Sequence, residues 1–126
     1  EDVDTVGVRI AVSGRSAYGL WLSDHIRNAE LLKTDGMDAS FELFRAQGLD
    51  VLAGLRPRLI QDVEKLPGSI VLDGKFSAVQ QAIGTKPERE LAAPFLQKFV
   101  EEAKGSGFVA SLIKKHGVED SLTVAP

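Results

Sequence analysis

Residues 9–26 read RIAVSGRSAYGLWLSDHI: an apolar run, a break at Ser13-Gly14-Arg15-Ser16, then apolar residues at helical spacing. The run GVRIAV, from Gly7 to Val12, is short, rich in β-branched residues and closed by Ser13-Gly14. That is the pattern of a strand buried on both faces of a parallel sheet. After the break, Tyr18, Leu22, Ile26 and Ala29 recur every third or fourth place with Trp21 beside them, so a helix with one inward face follows. A strand, a tight loop and a helix in that order open a parallel α/β fold, because parallel strands need long crossovers and a helix is the usual one.

The same alternation continues along the chain. ELLKT at 30–34 reads as a second strand closed by Asp35-Gly36, and Asp38 or Ser40 caps a short helix that carries Phe41 and Phe44 and stops at Gly48. LDVLAGL at 49–55 reads as a third buried strand. Arg56-Pro57 then starts a helix with Leu59, Ile60, Val63 and Leu66 on one side, proline being suited to a first helical turn. Pro67-Gly68 turns the chain, and IVLD at 70–73 and SAVQQAIG, as a strand over 77–83, add two more. Thr85-Lys86-Pro87-Glu88 has the form of a capping box ahead of Leu91, Phe95, Phe99 and Ala103, with Pro94 expected to kink or restart that helix. Ser106 is expected to start the last helix, which carries Phe108, Val109, Leu112 and Ile113 inward and ends through Lys114, Lys115 and His116 at Gly117. The fold class expected is therefore α/β: an open, mostly parallel sheet with helices on both faces.

Composition narrows the function. The chain has 126 residues, 44% of them hydrophobic and 26% charged, which suits an ordinary globular domain with a real core. Its net charge of −3, with scattered Lys and Arg, supplies no basic field for nucleic acid, so no nucleic-acid partner is expected. Cysteine is absent, which removes disulfides and cysteine-ligated zinc and leaves the compartment open. No apolar stretch approaches the roughly 20 residues that span a bilayer. The opening EDVDT is acidic where a signal peptide would be basic. His25 and His116 stand far apart with no acid at ligand spacing, so neither a metal nor a cofactor is expected.

The break at Ser13–Tyr18 is the candidate site. In open parallel sheets ligands bind beyond the carboxyl ends of the strands, and the loop after the first strand lies on that edge. The first turn of the next helix, Ala17 and Tyr18 included, presents backbone N–H groups with partial positive charge, which attract an anion. Gly14 lets the backbone approach, Ser13 and Ser16 add hydroxyls, and Arg15 offers a planar fork for a carboxylate or phosphate. Leu55 and Arg56, at the end of the third strand, belong to the same edge, and Arg56 would face the same anion. A plainer reading stays open beside this one: Ser16 caps the helix, Gly14 makes the turn, and both arginines are solvated.

Taken together, GVRIAVSGRSAY at 7–18, FELFRAQGLDVLAGL at 41–55 and VLDGKFSAVQQAIGT at 71–85 resemble the second lobe of the family-three extracellular solute-binding proteins, the bilobed receptors of bacterial ABC importers. Gly48-Leu49-Asp50-Val51 and Ala78-Val79-Gln80 match two of the family's recurrent stretches. The segment ELAAPFLQKFVEEAKGSGFVASLIKKHGV is similar to its C-terminal helices. The resemblance implies a type II periplasmic binding-protein lobe over residues 1–84 and, over 85–126, helices that in the family return to the other lobe. It further implies a periplasmic or extracellular location, a small-molecule solute as ligand, a membrane permease as partner, and a first lobe or its equivalent. It implies no catalysis: two lobes close over the solute, and the closed form is read by the permease. Amino-acid-binding members place an acid at or just after the third strand to hold an amine, whereas this chain has Leu55-Arg56 there. An organic acid therefore suits it better than an ordinary α-amino acid. With the other lobe absent, the helices after Gly84 should expose an apolar stripe, which a homodimer or a swapped C-terminal segment would cover.

Two other classes compete. A sugar-phosphate-binding enzyme domain of the isomerase type accounts for Ser-Gly-Arg-Ser equally well, but the loop edge offers no Glu or His as the base that isomerisation needs. An interaction module without a ligand is the other. A phosphorylation receiver is excluded, since it needs acids after the first strand and an Asp ending the third, where this chain has Ser13-Gly14-Arg15 and Gly54-Leu55.

Overall fold

The structure, a computed structural model, describes residues 3–126. The chain divides after Val79 into two compact units. In the first, β1 (Arg9–Ser13), α1 (Ala17–His25), β2 (Glu30–Thr34), α2 (Met37–Gln47), β3 (Val51–Leu52) and α3 (Arg56–Glu64) alternate. Among the described residues the sheet has three strands in the order β2-β1-β3, all parallel. The fold is α/β, as the alternation implies.

The centre of the sheet is β1. Ile10, Ala11 and Val12 are all 0–1% exposed. Because side chains alternate across a strand, Ile10 and Val12 share one face and join Tyr18 and Leu22 of α1, with Ala53, in the core cluster. Ala11 faces the other way, where α2 packs across β1 and buries Ser40 and Phe41. One short strand thus serves two layers, which is why its sequence is apolar without alternation.

Local chemistry sets most boundaries. The Ser16 hydroxyl accepts from the Gly19 amide at 2.9 Å and donates to the Ser13 carbonyl at 2.7 Å, capping α1. The helix stops at His25, short of the expected reach through Ile26 and Ala29. The reason is that the amides of Arg27, Asn28 and Ala29 all donate to the Asp4 carboxylate, at 2.7–3.1 Å, and so leave the helix. Ile26 and Ala29 still pack against the core from that linker. At the start of α2 neither Asp38 nor Ser40 is the cap. Gly36 holds that place with φ of 106°, a conformation that favours glycine, and the Ser40 hydroxyl donates back to its carbonyl from inside the helix. The expected stop at Gly48 is observed, in the left-handed region with φ of 56°.

Four expected strands are shorter or missing. β1 begins at Arg9 rather than Gly7. Only Val51–Leu52 of the stretch 49–55 is strand, although the amides of Asp50 and Ala53 still donate to Arg9 and Ala11 carbonyls on either side. Residues 70–73 and 77–83 form no strand. Their alternating apolar residues register a capacity for pairing, but a strand exists only against a partner, and Ile70, Leu72, Phe76, Val79 and Ile83 are exposed.

In the second unit a 3-10 turn (Pro87–Ala92) leads to α4 (Ala93–Gly105) and α5 (Phe108–Lys115). The expected capping box is not made: Lys86 is the cap residue and no side chain bonds the first turn. The restart expected at Pro94 is observed, with Arg89 outside helical geometry and Pro94 in the first turn of α4. Ser106 closes α4 instead of opening α5, which starts from Gly107 at φ of 77°. No residue of α4 or α5 is buried, and Leu91, Phe95, Phe99, Phe108 and Leu112 stand exposed.

The tightest approach in the fold is at Gly19, where a Cβ would lie 2.1 Å from the Ser13 carbonyl oxygen. Gly19→Ala should lower unfolding stability by about 2 kcal/mol or more, despite alanine's better helix propensity of about 1 kcal/mol. Chemical denaturation measures the difference.

Candidate functional site

The carboxyl ends of the three parallel strands form one rim, with β1 at its middle and β3 as one of its neighbours. These neighbours run in register, Ile10 beside Val51 and Ala11 beside Leu52, so Ser13-Gly14 and Gly54-Leu55-Arg56 leave the sheet at adjoining places. The helices that follow diverge. α1 covers the Ile10 and Val12 face. α3 lies beside α2 on the opposite face, joined to it by an Arg58–Asp38 ion pair at 2.7 Å. Helices that leave neighbouring parallel strands by opposite faces mark a topological switch point, the usual ligand position in open α/β sheets.

The expected site residues occupy that rim in different ways. Ser13 ends β1 with its side chain nearly buried, and its carbonyl accepts from both the amide and the hydroxyl of Ser16. The Gly14 amide donates to the Thr34 carbonyl at 3.0 Å, and the residue runs so close to Lys33 that a Cβ would meet the lysine Cβ at 3.2 Å. Ser16 is the helix cap. Ala17 is exposed, whereas Tyr18 sends its side chain into the core and leaves only its backbone at the rim. As the first two helical residues, Ala17 and Tyr18 have N–H groups with no acceptor inside the helix, and no acidic residue stands in that turn.

Neither arginine is simply solvated. The Arg15 Nη2 donates to Asp35 Oδ1 at 3.1 Å in a pair whose side chains are 86% and 82% exposed. Such a pair contributes about 0–1 kcal/mol and yields readily to a competing anion. Arg56, half-buried, donates from Nη2 to the carbonyls of Leu72 and Gly74. Leu55 packs against the core and its carbonyl accepts from the amides of Arg58 and Leu59, so it shapes the rim and offers no free polar group.

Three polar arrangements escaped the sequence reading. The first is the Asp4 carboxylate, cradled by the amides of Ala29, Asn28 and Arg27, whose hydrogen bonds in that order hold its carboxyl below the ordinary 3.8. The second is Thr34 Oγ1 and Ser40 Oγ at 2.6 Å, which tie the end of β2 to α2. The third is Arg58, whose Nε reaches both oxygens of the nearly buried Asp62 at 2.8 and 2.9 Å while Nη1 holds Asp38. Asp62 first, then Asp38, raise the Arg58 pKa above its ordinary value. The four-residue spacing of Arg58 and Asp62 on one helix face was legible. The pairing with Asp38 and the Asp4 cradle join residues distant in sequence and had no signal.

Enclosed space is small. A recess beside this third cluster, reaching Met37 and Ser40 of α2 and Leu59 of α3, has about 10 Å³ and holds no more than one water. Among the described residues no group of three or more His, Cys, Asp or Glu is placed to hold a metal ion. At the rim the first-turn amides of Ala17 and Tyr18 and the exposed guanidinium of Arg15 are donors of the kind that suit a small anion.

Two outcomes follow from these pins. An Asp carboxyl with a lowered folded pKa stabilises the fold above its unfolded value of 3.8, and that contribution is lost as pH falls through the folded value. Asp4→Asn should thus destabilise the protein at neutral pH, with the gap to the unaltered chain closing as pH drops below 3.8 in acid-denaturation series. Arg58→Ala leaves Asp62 buried with only Lys65, at 3.6 Å, in reach, and should cost about 3 kcal/mol in urea melts. The double variant Arg58→Met/Asp62→Leu should recover most of that loss. Comparison with family models, with curated proteins and with solved structures finds no match for the chain.

Proposed function

We propose that the chain is the ligand-binding lobe of a solute-binding receptor that captures a small polar anion, an organic acid in preference to a free amine, for an ABC importer outside the cytoplasm. The observation that carries this reading is the β2-β1-β3 order with α1 and α3 leaving by opposite faces. The acid-free first turn of α1 and the guanidinium of Arg56 at the start of α3 support it as groups suited to an anion.

The mechanism is binding and closure. A carboxylate or phosphate takes the amides of Ala17 and Tyr18, whose partial charge favours an anion. Arg15 exchanges its solvent-exposed Asp35 partner for the ligand, with two parallel hydrogen bonds replacing one weak pair. A shallow rim binds weakly by itself, and a second lobe closing over it excludes water and strengthens each charged contact. The closed form is then what a permease recognises. The apolar residues exposed along α4 and α5 support a partner surface, supplied by a first lobe or by a second copy of the chain.

An amide-resolved NMR titration with succinate and with inorganic phosphate tests the reading. Resonances of Gly14, Ala17 and Tyr18 should move together and saturate. Ser16→Asp keeps an acceptor for the Gly19 amide, gives up the donation to the Ser13 carbonyl and sets a negative charge on the seat. It should cost about 1 kcal/mol of stability, leave the chain folded and abolish the shifts. Shifts that are absent in the unaltered chain, or that persist undiminished in Ser16→Asp, would remove the basis for an anion receptor.

A further inference from the structure

Residues 67–79 leave α3 and run without helix or strand, carrying Ile70, Leu72, Phe76 and Val79 exposed. Exposed apolar side chains on unpaired backbone should leave such a segment loose, yet two contacts fasten it. At the rim, Arg56 Nη2 donates to the carbonyls of Leu72 and Gly74. Farther along, the Phe76 ring meets the Trp21 ring of α1 at 5.3 Å, tilted by 39°, and Trp21 in turn stacks on His25 at 3.7 Å. The segment therefore reaches from the start of α3 to the middle of α1, the two helices that follow β3 and β1.

The rim fastener uses the same guanidinium that an anion would need. Backbone carbonyls carry no net charge, whereas a carboxylate or phosphate adds ion-pair attraction and a bidentate fit to the same guanidinium. We infer that residues 70–79 are an autoinhibitory strap: their carbonyls hold Arg56, and an anion that binds at the rim takes Arg56 and releases them. This rests on the anion-receptor reading above and adds the regulation of that site. Since the strap and the anion compete for one side chain, each weakens the other by the same factor. Loosening the strap at Phe76, which does not touch the rim, must then tighten anion binding.

Both ends of the strap can be read separately. Lys75 is exposed within it, so the rate of trypsin cleavage after Lys75 reports release, and Trp21, the sole tryptophan, reports the Phe76 contact by its emission. In the protein without added anion, Arg56→Gln and Phe76→Ala should each speed that cleavage several-fold while circular dichroism stays native. In the unaltered chain, saturating succinate or inorganic phosphate should speed it likewise and shift the Trp21 emission. Phe76→Ala should also raise the affinity for either anion by about threefold, the scale of one aromatic pair.

The strap is overturned by an Arg56→Gln cleavage rate equal to that of the unaltered chain. It is equally overturned if an anion binds, by the amide shifts of Gly14, Ala17 and Tyr18, without faster cleavage, or if Phe76→Ala leaves that affinity unchanged; the receptor reading then stands alone. If neither anion moves those amides, the receptor reading fails and takes the competition with it.

Discussion

The carbonyl of Ser13 is the point where sheet and helix are welded. It is the last acceptor of β1, and it takes the amide and the hydroxyl of Ser16 while α1 crosses above it at a place where only glycine fits. These contacts aim α1 back over Ile10 and Val12, so Tyr18 and Leu22 reach the core. They also fix the direction from which the first amides of α1 face the rim. A looser turn at this carbonyl would cost the core its upper layer and the rim its positive end together. Core packing and the candidate site therefore share one geometric cause.

The apolar interior around that weld is modest, and polar pins hold its margins. The Asp4 carboxylate closes the linker between α1 and β2, Thr34 and Ser40 close β2 onto α2, and Arg58 locks α3 to α2 through Asp62 and Asp38. Among the described residues no buried side-chain nitrogen or oxygen lacks a partner. That completeness matters because a nearly buried Asp62 without Arg58 would be a liability rather than a support. At the rim the pins are of another kind. Arg15 with Asp35 is exposed and weak, whereas the half-buried Arg56 rests on two backbone carbonyls by charge-assisted bonds. Neither arginine ties one helix to another, as Arg58 does.

Apolar residues beyond the core follow a common pattern. The strand-like stretches after α3 and the faces of α4 and α5 carry the periodicities of buried elements, yet they lie exposed. Short helices with no buried residue draw little stability from propensity alone, since tertiary packing supplies most of it. These residues are patterned for contacts that the described residues do not make with one another.

From its order of residues alone the chain determined the α/β class, the positions of β2 and α3, the stop at Gly48, and the turn with its serine cap between β1 and α1. These depend on nearest neighbours: apolar period, a cap hydroxyl three residues before its amide, a proline in a first turn. Tertiary structure decided where α1 ends, because Asp4 claims the next three amides from twenty-odd residues away. It decided that 70–83 is not strand, because a strand is defined by a partner and none of the described residues pairs with it. It also decided the state of both arginines, one on Asp35 and one on a distant pair of carbonyls. Local pattern is written in spacing along the chain, whereas the occupancy of a hydrogen-bonding group depends on what folding brings within about 3 Å of it.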